Sequence, residues 1–490
     1  MTDLDQATTP TDAAPTDDPR PDTARRPRIT GRERLVLAVL LTASFTLAVD
    51  FSVLNVALPA IGADVGFSLA NLQWVATSFA LCAAGFTLLF GRVADLVGRR
   101  RLFLIGIALL GLSSLLGGLA TTPAMLIVAR VAQGLATAAV TPAALSLLTT
   151  SFPQGPRRER ALGLNGALMA AGFTTGAILG GVLTDLLSWR WAFYLNVAVA
   201  LVVLVVAPAV LTESRPARRA RLDVPGAMTV TLGLLAVVYG LTAAGQMSWG
   251  APGAYCPLLV GLALLGLFVL IETRVADPMV PIRILARRTV AWGNVAGLLA
   301  FVTETSLVFL LTLYLQKVLG YSPLAAGLAF AVLGAGTVLG GFAAPRVIGA
   351  IGARRAIVVG LVVQGAATTP LIFLGQQPGW IYLLLVATFV GGVANLVAIV
   401  AFMVTATTGL PDDEQGLAAG LATMSQQVGI TLGIPVMSAV VAAQIHLSGA
   451  RGPSAMLHGV STAITVNAAL CLVAAGLVAV FLRRTTTANA

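Results

Sequence analysis

The sequence predicts an all-α integral membrane protein that crosses the bilayer fourteen times. Three observations carry that expectation. Hydrophobic residues make up 57% of the 490 and charged residues only 10%, far more apolar than a soluble domain of this length. The apolar residues come in runs of about 20, the length a helix needs to cross about 30 Å of hydrocarbon where water cannot satisfy open backbone groups. And 26 of the 29 arginines fall in the tails or in alternate gaps between runs, the pattern of loops retained on the cytoplasmic side. Both ends then share that side, which requires an even number of helices.

Residues 1–30 are rich in Asp, Pro, Thr and Ala, too polar to bury a core, and are expected to form a disordered cytoplasmic tail. The first run, about 35–58, is longer than a signal-peptide core and no A-x-A-like cleavage site follows it, so it is expected to remain as helix 1. Further spans fall near 71–90, 102–120, 124–147, 161–184 and 191–211, completing six. Two more lie near 225–244 and 256–273, and a last six near 290–314, 324–344, 356–375, 380–404, 416–442 and 459–482. The run Gly98-Arg99-Arg100-Arg101 after helix 2 has a counterpart, Gly352-Ala353-Arg354-Arg355, eight helices later. Two six-helix bundles, 31–211 and 276–484, with helices 7 and 8 inserted between them at 212–275 and a short tail at 485–490, produce that offset. Internally repeated bundles of this kind place a binding site near the membrane midplane.

The inward gaps carry Arg92 and Arg99 to Arg101; Arg157, Arg158 and Arg160; Arg215, Arg218, Arg219 and Arg221; Arg274, Arg283, Arg287 and Arg288; and Arg346, Arg354 and Arg355. Outward gaps carry only Arg190, Lys317 and Arg451. One inward gap holds Asp412, Asp413 and Glu414 without a base, and acids contribute little to orientation. Topology thus accounts for the net charge of +10 better than a nucleic-acid partner does, since no single face gathers the arginines. Lys317 is the only lysine and Val318 follows it, so no phosphate-cradling G-x-x-x-x-G-K-[ST] loop exists and nucleotide is not an expected ligand. Cys82, Cys256 and Cys471 are widely spaced, and His446 and His458 share one late loop. Neither set has metal-ligand spacing. No cofactor is expected, and no nucleophile, base and metal constellation for an enzyme is evident.

The loop from Gly91 through Arg92, Asp95, Gly98, Arg99 and Arg100 to Arg101 resembles the G-x-x-x-D-x-x-G-R-R/K signature of the major facilitator superfamily. By that resemblance it is a cytoplasmic latch whose acid and arginines pair across the bundles when the protein faces outward. Leu47-Ala48-Val49-Asp50 with Asn55-Val56-Ala57-Leu58-Pro59 is similar to helix 1 of fourteen-helix drug:proton antiporters of the EmrB/QacA type, with Ser52 for the usual Thr. Arg130-Val131-Ala132-Gln133-Gly134 resembles their helix 4 element. Trp189 to Asn196 and Tyr321-Ser322-Pro323 also look like segments of that family. Gly163, Gly172, Gly176, Gly180 and Gly181 keep the spacing of the antiporter glycine motif, with Ala177 where its proline stands. Glycines so spaced also simply allow two helices to approach, and Ala177 removes an expected kink. The resemblance covers about residues 35–482 and implies a major facilitator fold, with helices 1, 4, 9 and 12 lining a central cavity.

Asp50, Arg130 and Glu304 are charges inside spans, where each costs several kcal/mol. Asp50 is about 22 Å into helix 1 and Glu304 about 21 Å into helix 9, with Arg130 about 10 Å below the end of helix 4, similar depths in the bilayer. Burial favours a neutral carboxyl and a nearby cation a charged one, so Asp50 and Glu304 are candidate proton carriers with Arg130 acting on Asp50. A static bridge for Asp50, and substrate contact for Glu304, are the competing readings. Asp185 and Glu272 lie nearer span ends and are expected to be solvated. Asn55, Trp74, Met169, Asn395 and Gln426 are candidate cavity residues, or ordinary packing. The reading these features favour is proton-coupled efflux of hydrophobic or cationic compounds, antibiotics among them, from the plasma membrane by alternating access. Its partners are amphipathic small molecules, protons and lipid, its energy source is the proton gradient, and the oligomeric state stays open. A dedicated metabolite exporter, a proton symporter and a transport-dead sensor or scaffold are the alternatives.

Overall fold

The computed structural model describes residues 30–482 apart from 68, 73, 153–155, 214–222, 248, 276–277, 279–282, 284–285, 408–411 and 449–451. The expected tails, 1–29 and 483–490, lie outside the described residues, as do Arg215, Arg218, Arg219, Arg221 and Arg451. Fourteen helices are long and apolar enough to cross a membrane, and the protein is a multi-pass membrane protein. In order they are α1 (Gly31–Val65), α2 (Trp74–Val97), α3 (Arg99–Gly118), α4 (Pro123–Ser151), α5 (Pro156–Leu186), α6 (Arg190–Val210), α7 (Val224–Gln246) and α8 (Pro252–Glu272). The second half adds α9 (Arg288–Leu313), α10 (Pro323–Ile351), α11 (Ala353–Thr368), α12 (Trp380–Thr407), α13 (Asp412–Ser448) and α14 (Pro453–Phe481).

Helix starts follow local chemistry. Thr30, counted in the sequence reading as the last tail residue, is the N-cap of α1. Its hydroxyl accepts from Glu33 N at 3.2 Å and Glu33 Oε2 accepts from Thr30 N at 2.7 Å, which satisfies two open donors reciprocally. The Thr122 and Ser322 hydroxyls cap α4 and α10 by accepting from Met125 N and Ala325 N, without a reciprocal acid, and each is followed by proline, where a missing N–H costs nothing.

The halves pack alike. In the first, α1 lies on α5 and α6, α2 on α4, and α3 on α4 and α6; in the second, α9 lies on α13 and α14, α10 on α12, and α11 on α12 and α14. Lipid is as apolar as a leucine side chain, so these contacts depend on close approach rather than hydrophobic expulsion. A Cβ on Gly172 would lie 2.8 Å from the Phe45 carbonyl oxygen and one on Gly176 2.7 Å from that of Val49, while Gly180 meets the Val53 carbonyl. Gly429 and Gly433 of α13 repeat the arrangement against Leu298 and Val302 of α9, at 2.5 and 2.8 Å.

The bundles meet along two seams, α5 with α10 and α2 with α13. The antiparallel pair α7 and α8 stands outside both bundles, with α7 lying across the second seam against α2 and α13. Thr231 of α7 donates to the Gly85 carbonyl of α2 at 2.7 Å.

Candidate functional site

Asp50 and Arg130 are each 1% exposed and form a 3.0 Å ion pair inside the first bundle. The pair draws on five helices. Arg130 Nη1 also donates to Gln133 Oε1 at 2.8 Å, and its Nε to the Val75 carbonyl of α2 at 3.0 Å. Gln133 Nε2 donates to Asp50 Oδ1 at 3.1 Å and to Ser114 Oγ of α3 at 2.8 Å. Asn196 of α6 donates to the same carboxylate. The guanidinium carbon sits 4.2 Å from the centre of the Phe79 ring. Both charges are thereby neutralised and hydrogen-bonded, the condition under which buried ions are tolerated. Four spans that each look apolar contribute one or two polar groups apiece to one knot.

The second bundle repeats the knot without charge. Asn395 of α12 donates to the Ala300 carbonyl at 3.3 Å and to Gln364 Oε1 of α11 at 3.0 Å; Gln364 Nε2 donates to Thr303 Oγ1 of α9 at 3.2 Å. Asn467 of α14 donates to the Thr303 carbonyl and Ser306 Oγ, both at 2.9 Å. Helices α9, α11, α12 and α14 thus play the parts of α1, α3, α4 and α6. Glu304 makes no ion pair or hydrogen bond with a described residue. It lines a small pocket of about 20 Å³ with Gln364, Thr388, Asn395 and four leucine or valine side chains, among them Leu307 and Leu333, room for about one water molecule. Asp50 and Arg130 are brought together; Glu304 stands apart from them, in the other bundle.

The candidate cavity residues separate. Trp74 packs its ring 5.9 Å from that of Tyr239 on inserted helix α7, and Asn395 belongs to the polar knot. Met169 is half-buried and accepts from Asn165 Nδ2 at 3.8 Å, and Gln426 is 8% exposed. The side chains of Asn55 and Asp95, and the surroundings of Gly163, lie outside what is described. The seam between the bundles is instead walled by phenylalanines. Phe51, Phe79, Ala80, Ala83 and Ile434 form one buried cluster with Phe173, Phe309 and Ile430 partly exposed beside it. Phe51 lies 5.9 Å from Phe79 and 5.8 Å from Phe173, centroid to centroid. These rings are not among the candidate residues read from the sequence, because aromatics in an apolar run carry no signal of their own. A cue was available, since Phe51 follows Asp50 and so projects about 100° round the helix from it.

Glu272, expected to be solvated, is 3% exposed. Its Oε1 would lie 3.1 Å from a Cβ on Gly226, beside Asp223, which caps α7 by accepting from Gly226 N at 3.0 Å. The hairpin folds the end of α8 over the N-terminus of α7, where the helix dipole favours acids. Asp185 is exposed as expected, and its Oδ2 accepts from Leu324 N of α10 at 3.2 Å. Beyond the first span, Arg190 and then Trp189 hydrogen-bond Asp64 and hold its carboxyl below the ordinary carboxylate range.

At the latch, Gly98 takes φ +113° and its Cβ position is filled by the Glu213 carboxylate at 2.7 Å, which is why glycine stands there. Glu213 accepts from Arg100 N at 3.1 Å and Arg101 N at 3.3 Å. Arg100 donates to the Pro208 carbonyl near the end of α6 at 2.7 Å, and Arg354 donates to the Ala479 carbonyl near the end of α14. In this conformation both arginines stay within their own bundle, and Arg92 reaches the Pro278 carbonyl ahead of α9.

This architecture has known relatives. The Major Facilitator Superfamily profile matches residues 40–434 and 294–490. The cephamycin export protein CmcT of Amycolatopsis lactamdurans is 39% identical over 439 residues, covering 87% of each chain. The puromycin resistance protein pur8 of Streptomyces alboniger is 36% identical, covering 88% of this chain and 85% of its own. Among solved structures, the human organic anion transporter MFSD10 shares the fold with a TM-score of 0.61 at 16% identity, covering 92% of this chain and all of its own. Two matching six-helix bundles, the latch loop and this breadth of similarity lead to one assignment: the chain belongs to the major facilitator superfamily.

Proposed function

We propose that this protein is a proton-coupled exporter of amphipathic, antibiotic-like molecules, and not an enzyme, working by alternating access with the arginine-bearing face toward the cytoplasm. The observation that carries the reading is the buried Asp50 to Arg130 pair, which places an ionisable group of a transporter beside the seam where the bundles meet. Protonating Asp50 leaves Arg130 with neutral partners alone, a rearrangement that movement of the bundles can drive in either direction. No bound cofactor is required, because the proton gradient supplies the energy.

The conformation suits the cytoplasm-open half of such a cycle. On the face opposite the arginines the bundles are fastened: a Cβ on Gly181 would meet the Pro323 carbonyl at 2.5 Å, one on Gly327 the Ala177 carbonyl at 2.8 Å, and Gln316 donates to the Val56 carbonyl at 3.2 Å. Toward the arginine face, Gly166 of α5 has no neighbour within 4 Å of its Cβ position and Leu164 is exposed.

The test uses inverted membrane vesicles acidified by respiration, with acridine quenching as the readout. Puromycin, lincomycin, a cephamycin and ethidium are added in turn. At least one is expected to dissipate the gradient in wild type and none in Asp50→Asn. Uptake that continues without a gradient, or an unchanged proton flux in Asp50→Asn, overturns the reading. A response to one compound alone marks a dedicated exporter.

A further inference from the structure

We propose that Phe79 couples the two sites: its ring is shared between Arg130 and a flat aromatic substrate held among Phe51, Phe173 and Phe309. The inference rests on the exchange reading above and names both its substrate class and its coupling residue. Phe79 is 2% exposed and touches both sides. Behind it the Arg130 guanidinium lies 4.2 Å from the ring centre. In front, Phe51 lies 5.9 Å away and leads to Phe173 and the partly exposed Phe309 and Ile430. Neighbouring Ala80 accepts a 3.0 Å hydrogen bond from Thr431 of α13, so Phe79 stands where the bundles touch.

The coupling follows from counting the partners of one cation. When Asp50 is ionised, Arg130 has a carboxylate, Gln133 Oε1, the Val75 carbonyl and the ring. When Asp50 is protonated the carboxylate charge is gone, and the ring is worth more to the guanidinium than before. A substrate that recruits the ring into its own stack therefore disfavours the protonated state, and Asp50 releases its proton to water. By linkage, protonation draws the ring back to Arg130 and weakens substrate binding by the same factor. Arg130 is the one charged group within hydrogen-bonding reach of Asp50 among the described residues. Gln133 of α4, Ser114 of α3 and Asn196 of α6 are neutral, and α5 faces α1 here with Gly172 and Gly176.

The experiment measures protons released per ethidium bound, using the purified full-length protein in weakly buffered detergent with a pH indicator and ethidium fluorescence. Phe79→Leu is expected to weaken binding about threefold and to lower protons released per ligand about tenfold. Phe79→Tyr, which keeps the ring, is expected to restore release to within about twofold. Phe51→Leu is expected to weaken binding about tenfold while leaving the protons per bound ligand at the wild-type value. Phe79→Met serves as a second ringless variant should Phe79→Leu not fold. Wild-type release from the ringless variants, equal loss in Phe51→Leu, or failure of Phe79→Tyr to recover would overturn the proposal. Wild-type release from Asp50→Asn would instead remove the exchange reading and leave the ring contacts standing.

Discussion

The Asp50 to Arg130 pair can be tested as structure and as mechanism in one double-mutant cycle. In Arg130→Gln the carboxylate stays 1% exposed with Gln133 and Asn196 as its remaining donors, and losing the only cation costs about 3 kcal/mol of unfolding free energy. Asp50→Asn costs less, about 2 kcal/mol, because the amide oxygen still accepts from Gln133 and Arg130 keeps the Val75 carbonyl, Gln133 and the Phe79 ring. The double variant has no buried charge and is expected to lose only about 2 kcal/mol, a coupling energy of about 3 kcal/mol between the sites. Unfolding is followed by denaturant titration in mixed micelles, alongside proton flux in vesicles. Recovery of stability in the double variant without recovery of proton-coupled transport separates a working pair from a structural one. Additive stability losses would refute the physical argument, and restored coupled transport would refute the mechanistic one.

Three further outcomes follow from contacts elsewhere. Gly176→Leu is expected to abolish folded protein in a size-exclusion assay, because its Cβ would lie 2.7 Å from the Val49 carbonyl oxygen of α1, and helix backbone cannot give way as a side chain can. Gly166→Ala, with open space around it, is the control and should gain about 0.5–1 kcal/mol from helix propensity alone. Cysteines replacing Asp185 and Leu324, whose side chain and amide lie 3.2 Å apart in the native chain, are expected to cross-link on mild oxidation and to stop transport until reduced; full transport by cross-linked protein would contradict rocking at this seam. Asp64 has its pKa lowered by Arg190, so its contribution to stability is present above the unfolded value, about pH 4, and is lost as pH falls further. Asp64→Asn should therefore flatten the acid limb of thermal stability, and an unchanged limb would show that the contact is inert.

The sequence by itself determined the number, order and approximate limits of the fourteen helices. In lipid each span must satisfy its backbone internally, so helix formation is a local property that hydropathy reads directly. The repeat was legible too, because Gly98 and Gly352 are turn glycines followed by arginines whose roles recur. Only the tertiary structure decided lateral partners. Hydropathy cannot say which way a residue faces when lipid and protein interior are equally apolar, so the shared cluster of Phe51 and Phe79 did not stand out, the hydrogen bonds of Asn395 to α9 and α11 could not be foreseen beside its place in the pocket lining, and Glu272 was assigned to solvent. Asp50 shows both halves of the lesson: its charge announced that a partner must exist, and the fold supplied Arg130, Gln133 and Asn196 from two other helices.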